Sequence, residues 1–259
     1  MKRTSSWRIA PGSREYPLVI AHRGGGGLAP ENTLASFRQA SSIGADAIEL
    51  DVRLTRDRRV VVFHDRRIDR TTAGKGPVGT FTLEELKSLD VGSWFGPQFR
   101  GERVPTLEEV FEALPADFLI YVEMKARGHG AWPLASRVVD LIRQYERWES
   151  TMVASFNPIA MAFLRAIEPR IIRGSIWSRR HPLPLRARWL SPLVQPHWLA
   201  PDRGTLTPQM VRRFHAQGKL VAAWDLDAGS DMRRLKGMGL DGAVTDYPDV
   251  LVRQKHSTI

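Results

Sequence analysis

Short apolar runs recur along the chain, and the stretches between them carry apolar residues at helical spacing. The runs have the length of β-strands, and eight of them lie at residues 18–21, 47–54, 118–124, 152–154, 171–176, 193–194, 220–224 and 242–245. Helical spacing between runs is clearest at Val138, Leu141 and Ile142. Eight strands that alternate with helices predict a (β/α)8 TIM barrel, an α/β fold, and leave an open doubly wound sheet as the alternative.

A ninth apolar run, at residues 60–63, breaks this alternation. The chain that follows is rich in glycine, proline and threonine, so we interpret residues 65–105 as a small insertion in one domain that spans residues 1–259. Within the insertion, Thr82 and Glu85 have the spacing of a capping box, which predicts the start of a short helix.

The composition is that of an ordinary globular protein, since 42% of the residues are hydrophobic and 25% are charged. The chain has no cysteine, which excludes disulfides, zinc–thiolate sites and thiol nucleophiles. The net charge of +10 favours anionic partners without saying which. No apolar stretch resembles a secretory signal or a membrane span of roughly 20 residues, so we expect a cytoplasmic protein with at most peripheral membrane contact.

Acidic residues lie two positions apart in one predicted strand. Glu49 and Asp51 therefore point to the same face of that strand. Glu123 and Lys125 repeat the spacing near the end of the next barrel strand. Because barrel enzymes carry their chemistry at the carboxyl ends of the strands, we expect these four side chains to meet at one rim.

Three carboxylates that meet at one rim repel one another unless a cation neutralises them. Their oxygen ligands are typical of Mg²⁺ or Ca²⁺, so one such divalent cation is the predicted cofactor. The alternative is that the acids only form ion pairs with Arg23, Arg53 or Lys125.

Two histidines, His22 and His64, each directly follow an apolar strand. One histidine at a strand end is commonly structural, but two at equivalent ends suit a general acid and a general base near neutral pH. A glycine run at residues 24–27 follows Arg23, and its backbone N–H groups are candidates for contact with a phosphate. The same run is also typical of a flexible turn.

A series of short motifs lies in one order along nearly the whole chain. They are HRG at 22–24, APENTL at 29–34, ELD at 49–51, FHD at 63–65, DRTT at 69–72, VPTL at 104–107, EMK at 123–125 and VTDYP at 244–248. In this order they resemble the glycerophosphodiester phosphodiesterase family. The resemblance implies a TIM barrel with a small insertion after the second barrel strand, and metal-dependent hydrolysis of small glycerophosphodiesters to glycerol 3-phosphate and an alcohol.

The resemblance also implies a role for each matching residue. The implied metal ligands are Glu49, Asp51 and Glu123. The implied acid–base pair is His22 and His64, and the sequence does not say which is the acid. The implied substrate and phosphate contacts are Arg23, Lys125 and Trp224, although Trp224 also suits a barrel core.

One motif departs from the family pattern. The chain reads WDLD at 224–227 where the family commonly has WTVN. Asp227 in place of asparagine would add negative charge near an anionic substrate. We expect this change to affect specificity or metal affinity more than the class of reaction.

A second enzyme reading is a lysophospholipase D, which would use the same site on lipids with one acyl chain. Residues 176–203 favour it, because tryptophans are interleaved with arginines in this segment: Trp177, Arg179, Arg180, Arg186, Arg188, Trp189 and Trp198. Such a segment suits an anionic membrane surface, or else an ordinary connection packed by its tryptophans.

A third reading is a binding module without activity. The intact acids argue against it, and no helix-turn-helix, zinc-finger or RNP-like motif supports a nucleic-acid partner. The preferred head group, the ion and the oligomeric state are left open by the sequence.

Overall fold

Eight parallel strands close into a barrel in the computed structural model, which describes residues 6–126, 130–180, 190–226 and 229–257. The strands are β1 (Leu18–Ala21), β2 (Ala47–Leu54), β3 (Val60–Val62), β4 (Leu119–Met124), β5 (Thr151–Ser155), β6 (Ile172–Trp177), β7 (Trp198–Pro201), β8 (Leu220–Leu226) and β9 (Gly242–Thr245). β9 pairs with β1 and β1 with β2, which closes the ring. β3 lies outside the ring, antiparallel to β2. The predicted TIM barrel is confirmed, and the alternative prediction of an open doubly wound sheet is wrong.

Helices connect the strands and surround the barrel. They are α1 (Leu34–Ser42), α2 (Leu83–Lys87), α3 (Leu107–Ala113), α4 (Ala131–Gln144), α5 (Pro158–Ile167), α6 (Ser191–Val194), α7 (Pro208–His215), α8 (Met232–Gly237) and α9 (Pro248–Ser257). The capping box predicted at Thr82 and Glu85 opens α2 and is confirmed. Among the described residues, no helix is both long and apolar enough to cross a membrane.

The strand predicted at residues 193–194 is wrong. These residues end the short helix α6, in which Pro192 occupies one of the first two positions and Leu193 is 56% exposed. Proline at a helix start is favourable because its fixed φ matches the helix and its missing N–H is not needed there. The sixth barrel strand is instead β7, which starts at Trp198 and is buried along its length.

Two tryptophans predicted for a surface segment belong to the core. Trp177 and Trp198 are only 5% and 1% exposed. Trp198 packs edge-on against Trp7, and its indole N–H donates to the Trp7 carbonyl at 3.1 Å. Arg179 and Arg180 are exposed, while residues 181–189, with Arg186, Arg188 and Trp189, lie outside the described part of the chain.

The region at residues 65–105 follows the β2–β3 hairpin and builds a small apolar cluster of its own. Ile68, Val78, Leu86, Val91 and Val104 pack there with residues of β3. This cluster holds the region against the barrel next to the carboxyl end of β2.

Candidate active site

Three carboxylates from two neighbouring strands meet inside the barrel mouth. The parallel register of β2 and β4 places Asp51 beside Glu123, and Glu49 lies two residues earlier on the same face. Oxygen atoms of the three carboxylates lie within 4.8 Å of one another, and all three residues are buried. The predicted convergence is therefore present in the structure.

Asp51 is held by partners on both of its oxygens. Lys125 Nζ lies 2.9 Å from Asp51 Oδ1 and 2.5 Å from Glu123 Oε1. The Asn32 side-chain amide donates to Asp51 Oδ2 at 2.8 Å, and its carbonyl accepts from the Asp51 backbone N–H. Glu49 accepts instead from the backbone N–H of Arg23 at 2.9 Å. The ion pairs expected with Lys125 are therefore present, and they involve two of the three acids, Asp51 and Glu123.

The pKa values of the buried acids shift in different directions. Burial, together with the negative charge of Asp51, raises the pKa of Glu49 to about 8. Burial also raises the pKa of Glu123. For Asp51, the charges of Lys125 and nearby cations outweigh burial and lower the pKa. A further positive charge would let all three acids ionise, and three buried oxygen donors this close fit a hard divalent cation.

Each candidate histidine has a carboxylate on its Nδ1 atom. His22 directly follows β1, and its Nδ1 lies 2.8 Å from Oδ1 of Asp246, which directly follows β9. His64 follows β3, and its Nδ1 lies 2.6 Å from Asp65 Oδ1. A carboxylate at Nδ1 orients the ring and leaves Nε2 for a substrate. Both histidines line the same cleft, as the sequence predicts.

The two histidines have pKa values shifted in opposite directions. Burial opposes protonation of His22, but the hydrogen bond that its Nδ1 donates to Asp246 and the charge of Glu49 outweigh burial, so the pKa is raised. Burial lowers the pKa of His64, and the positive charges of Lys125 and Arg23 lower it further. Near neutral pH, His22 is therefore the more protonated of the two.

The glycine run at residues 24–27 forms a turn and uses its own amides within it. Gly25 and Gly26 donate to the His22 carbonyl, and Gly27 donates to the Asp246 carbonyl. These three N–H groups bond within the chain, which favours the interpretation of the run as a turn, and contact between the run and a phosphate stays a prediction. The turn also aims Arg23, whose φ of +51° is left-handed, into the site.

Arg23 lies close to the acids. Its Nε is 3.6 Å from Asp51 Oδ2, and its Nη1 donates to Glu31 Oε1 at 3.1 Å. Glu31, Asn32, Asp65 and Asp246 are site residues that the sequence analysis did not single out. They lie within or next to the quoted motifs, but nothing in their local pattern shows which partner each would reach.

The cleft holds about 200 Å³ and lies between the acids, the histidines and an aromatic wall. Trp224 and Phe156 form that wall with ring centroids 5.6 Å apart, and the Trp224 indole N–H donates to the Ala200 carbonyl at 2.8 Å. Trp224 is half-buried, so it both packs in the barrel and lines the cleft. Asp227, which departs from the family pattern, lies outside the described residues.

A larger groove of about 790 Å³ adjoins the cleft on the His64 side. It shares His64, Glu123, Lys125 and Phe156 with the cleft. Its other lining residues are Arg53, Asp65, Arg66, Met124, Ala126, Ser155, Asn157, Pro158, Ile159 and Leu190. The groove and the cleft therefore meet at these four shared residues.

A TIM barrel that gathers carboxylates, histidines and cations at the carboxyl ends of its strands has its candidate active site where barrel enzymes carry their chemistry. Comparison with known proteins gives the family: residues 22–250 match the model of the glycerophosphoryl diester phosphodiesterase family, and the chain belongs to it.

Individual relatives agree with this family. The chain is 39% identical over 238 residues to a glycerophosphodiester phosphodiesterase of Caldanaerobacter subterraneus subsp. tengcongensis, covering 91% of this chain and 96% of the relative. A phosphodiesterase from Oleispira antarctica, solved in complex with the product sn-glycerol-3-phosphate, is 33% identical with a TM-score of 0.85 and covers 93% and 97% of the two chains. A glycerophosphodiester phosphodiesterase structure from Agrobacterium tumefaciens is 29% identical with a TM-score of 0.76, covering 90% and 98%.

Proposed function

We propose that this protein hydrolyses glycerophosphodiesters to glycerol 3-phosphate and a free alcohol. The observation that carries the proposal is the placement of three buried carboxylates, two carboxylate-oriented histidines and two cations around one cleft. Family membership supports the same activity, and the Oleispira relative was solved with sn-glycerol-3-phosphate as its product.

Glu49, Asp51 and Glu123 are the residues that would hold a divalent cation, either Mg²⁺ or Ca²⁺. Their all-oxygen donor set and mutual distances support this assignment. Such an ion supplies charge stabilisation to a phosphate oxygen in the transition state. Lys125 and Arg23 add positive charge on the same side of the cleft, where they bind and orient the anionic phosphodiester.

We assign the base to His64 and the acid to His22, following the directions of their pKa shifts. His64 Nε2 takes the proton of the attacking hydroxyl, which belongs either to water or to the 2-hydroxyl of the substrate glycerol. The bond from phosphorus to the alcohol oxygen then breaks, and His22 gives its proton to that oxygen. Where the glycerol hydroxyl attacks, a cyclic phosphate forms and a water molecule opens it in a second step.

The test is a product assay with glycerophosphocholine, glycerophosphoethanolamine and glycerophosphoglycerol, each with Mg²⁺ and Ca²⁺. Glycerol 3-phosphate should form with one of these ions, stop on addition of chelator and resume when the ion is restored. His22→Ala and His64→Ala should each lower kcat by roughly 10²-fold or more, the usual contribution of a positioned proton-transfer group. No product from any diester, or near-full turnover by either variant, would contradict the proposal.

A second candidate activity is lysophospholipase D, and the groove beside His64 favours it. If His64 meets the glycerol hydroxyl, a chain esterified to that glycerol would lie along Met124, Phe156 and Ile159. Such a substrate would be met at a membrane, where each basic residue close to an anionic surface contributes about 1 kcal/mol. Binding to anionic vesicles that weakens with salt, together with turnover of a lysophospholipid, would support this activity. We propose that the protein is located in the cytoplasm.

A further inference from the structure

Arg70 lies in the insertion and joins two parts of the candidate site through its guanidinium group. Its Nε donates to Asp65 Oδ2 at 2.6 Å, while Nη1 and Nη2 donate to the two carboxylate oxygens of Glu31 at 2.7 Å each. Two carboxylates therefore take up all three nitrogens of one side chain. A planar guanidinium fixes both carboxylates relative to each other, which a single point charge does not.

Each of these carboxylates also holds one residue that lines the cleft. Asp65 Oδ1 lies 2.6 Å from His64 Nδ1, and Glu31 Oε1 accepts from Arg23 Nη1 at 3.1 Å. A continuous series of hydrogen bonds thus runs from His64 through Asp65, Arg70 and Glu31 to Arg23. One side chain of the insertion therefore connects His64 to Arg23, and both of these residues line the cleft.

The charge of Arg70 keeps both carboxylates ionised. Burial raises the pKa of Glu31, but the hydrogen bonds from Arg70 and the charge of Arg23 outweigh it, and the pKa is lowered. The same balance, with Arg70 and His64 as partners, lowers the pKa of Asp65. Without Arg70, the nearly buried Glu31 would keep Arg23 as its remaining cation and would compete with a substrate phosphate for it.

The neighbouring ion pair of Arg67 and Asp69 is a local interaction in the same segment and serves as a comparison for Arg70. Arg67 forms two hydrogen bonds to Asp69 at 3.1 and 3.0 Å, and both residues are exposed. Neither residue lines the cleft. The Arg70 side chain is also 45% exposed, and exposed ion pairs contribute little to folding stability. What distinguishes Arg70 is therefore the position of its partners.

We propose that Arg70 is a positioning residue for hydrolysis: through Asp65 it orients the His64 ring, and through Glu31 it holds Arg23 toward the phosphate. The inference rests on the proposed roles of His64 and Arg23. It also assigns a role to the insertion, which is to fix His64 and Arg23 relative to each other.

The test compares Arg70→Gln, Arg70→Lys and Arg70→Ala with the matched control Arg67→Gln, using the diester that the unmodified protein hydrolyses best. Arg70→Gln should lower kcat by at least about tenfold, as loss of a residue that orients a reacting group does, while the unfolding midpoint and calorimetric Mg²⁺ affinity stay those of the control. Arg70→Lys should recover little of the kcat that Arg70→Gln loses, because the lysine ammonium group cannot bridge both carboxylates. Millimolar guanidinium should restore activity to Arg70→Ala, and ammonium should not.

A double-mutant cycle separates positioning from general damage. Arg70→Gln should lower kcat by a smaller factor in the Asp65→Ala background than in the unmodified protein, because the hydrogen-bonded connection to His64 is already lost there. Equal losses in both backgrounds, or activity of Arg70→Gln equal to that of Arg67→Gln, would overturn the inference. The proposed function fails separately, if the unmodified protein releases no glycerol 3-phosphate or if His64→Ala remains active.

Discussion

Asp246 Oδ1 lies 2.8 Å from His22 Nδ1, and this hydrogen bond crosses the seam where β9 pairs with β1 to close the barrel. The two residues are 224 positions apart in the chain. The last barrel strand thus delivers the carboxylate that orients the histidine of the first. Closure of the barrel is therefore what brings Asp246 to His22.

Asp246→Asn should shift the pH dependence of hydrolysis. Burial lowers the pKa of His22, and the carboxylate of Asp246 is among the groups that raise it. Asparagine removes that negative charge, so the pKa of His22 should fall. Since the proposed acid works only when protonated, the alkaline limb of the kcat/KM profile should move to lower pH, with the acid limb unchanged. An unchanged alkaline limb, in a protein whose His22→Ala variant is inactive, would show that Asp246 does not tune the acid.

Glu49→Gln should weaken metal binding and activity together. The substitution keeps the shape of the side chain but removes one anionic oxygen ligand from the cluster with Asp51 and Glu123. Calorimetry should show a loss of Mg²⁺ or Ca²⁺ affinity of more than about tenfold. The matched control is Glu84→Gln, which changes an exposed glutamate on α2. Equal ion affinity in both variants would mean that these carboxylates are structural.

Most of the fold was predictable because most barrel strands contain a buried apolar run, and helices lie between these runs. β7 was missed because its sequence, WLAP, is short and ends in proline, while Leu193 and Val194 offered a more conventional apolar pair. The strand periodicity could bring Glu49 and Asp51 to one face. It could not show that Asn32 would bond Asp51 or that Asp246 would reach His22, because those contacts depend on how loops from distant strands meet.

Gly24→Ala should destabilise the fold through the turn that aims Arg23. Gly24 has a φ of +86°, and a Cβ atom there would lie 2.3 Å from Ser36 Oγ. The left-handed backbone and the overlap together should cost about 2–4 kcal/mol in the free energy of unfolding. Gly101→Ala is the control, because Gly101 has a φ of +96° and no atom within 4 Å of the added Cβ. Its cost should be about 1–2 kcal/mol. Urea unfolding of both variants measures the difference, and equal losses would mean that the Ser36 contact relaxes freely.

Ile159→Asp should separate the two candidate activities. Ile159 lies in the groove beside His64 and is 55% exposed, so a charge there should not disturb the core. An acyl chain in the groove would have to pack against that charge. Turnover of lysophosphatidylethanolamine should therefore fall by at least about tenfold, while glycerophosphoethanolamine hydrolysis stays nearly unchanged. Leu193→Asp is the matched control, since Leu193 is 56% exposed and is not among the residues that line the groove. If both substrates lose activity equally, the groove does not hold the chain. If the unmodified protein leaves the lysophospholipid intact, the proposal of a lysophospholipase D activity is wrong, and hydrolysis of small diesters is the one proposed activity that remains.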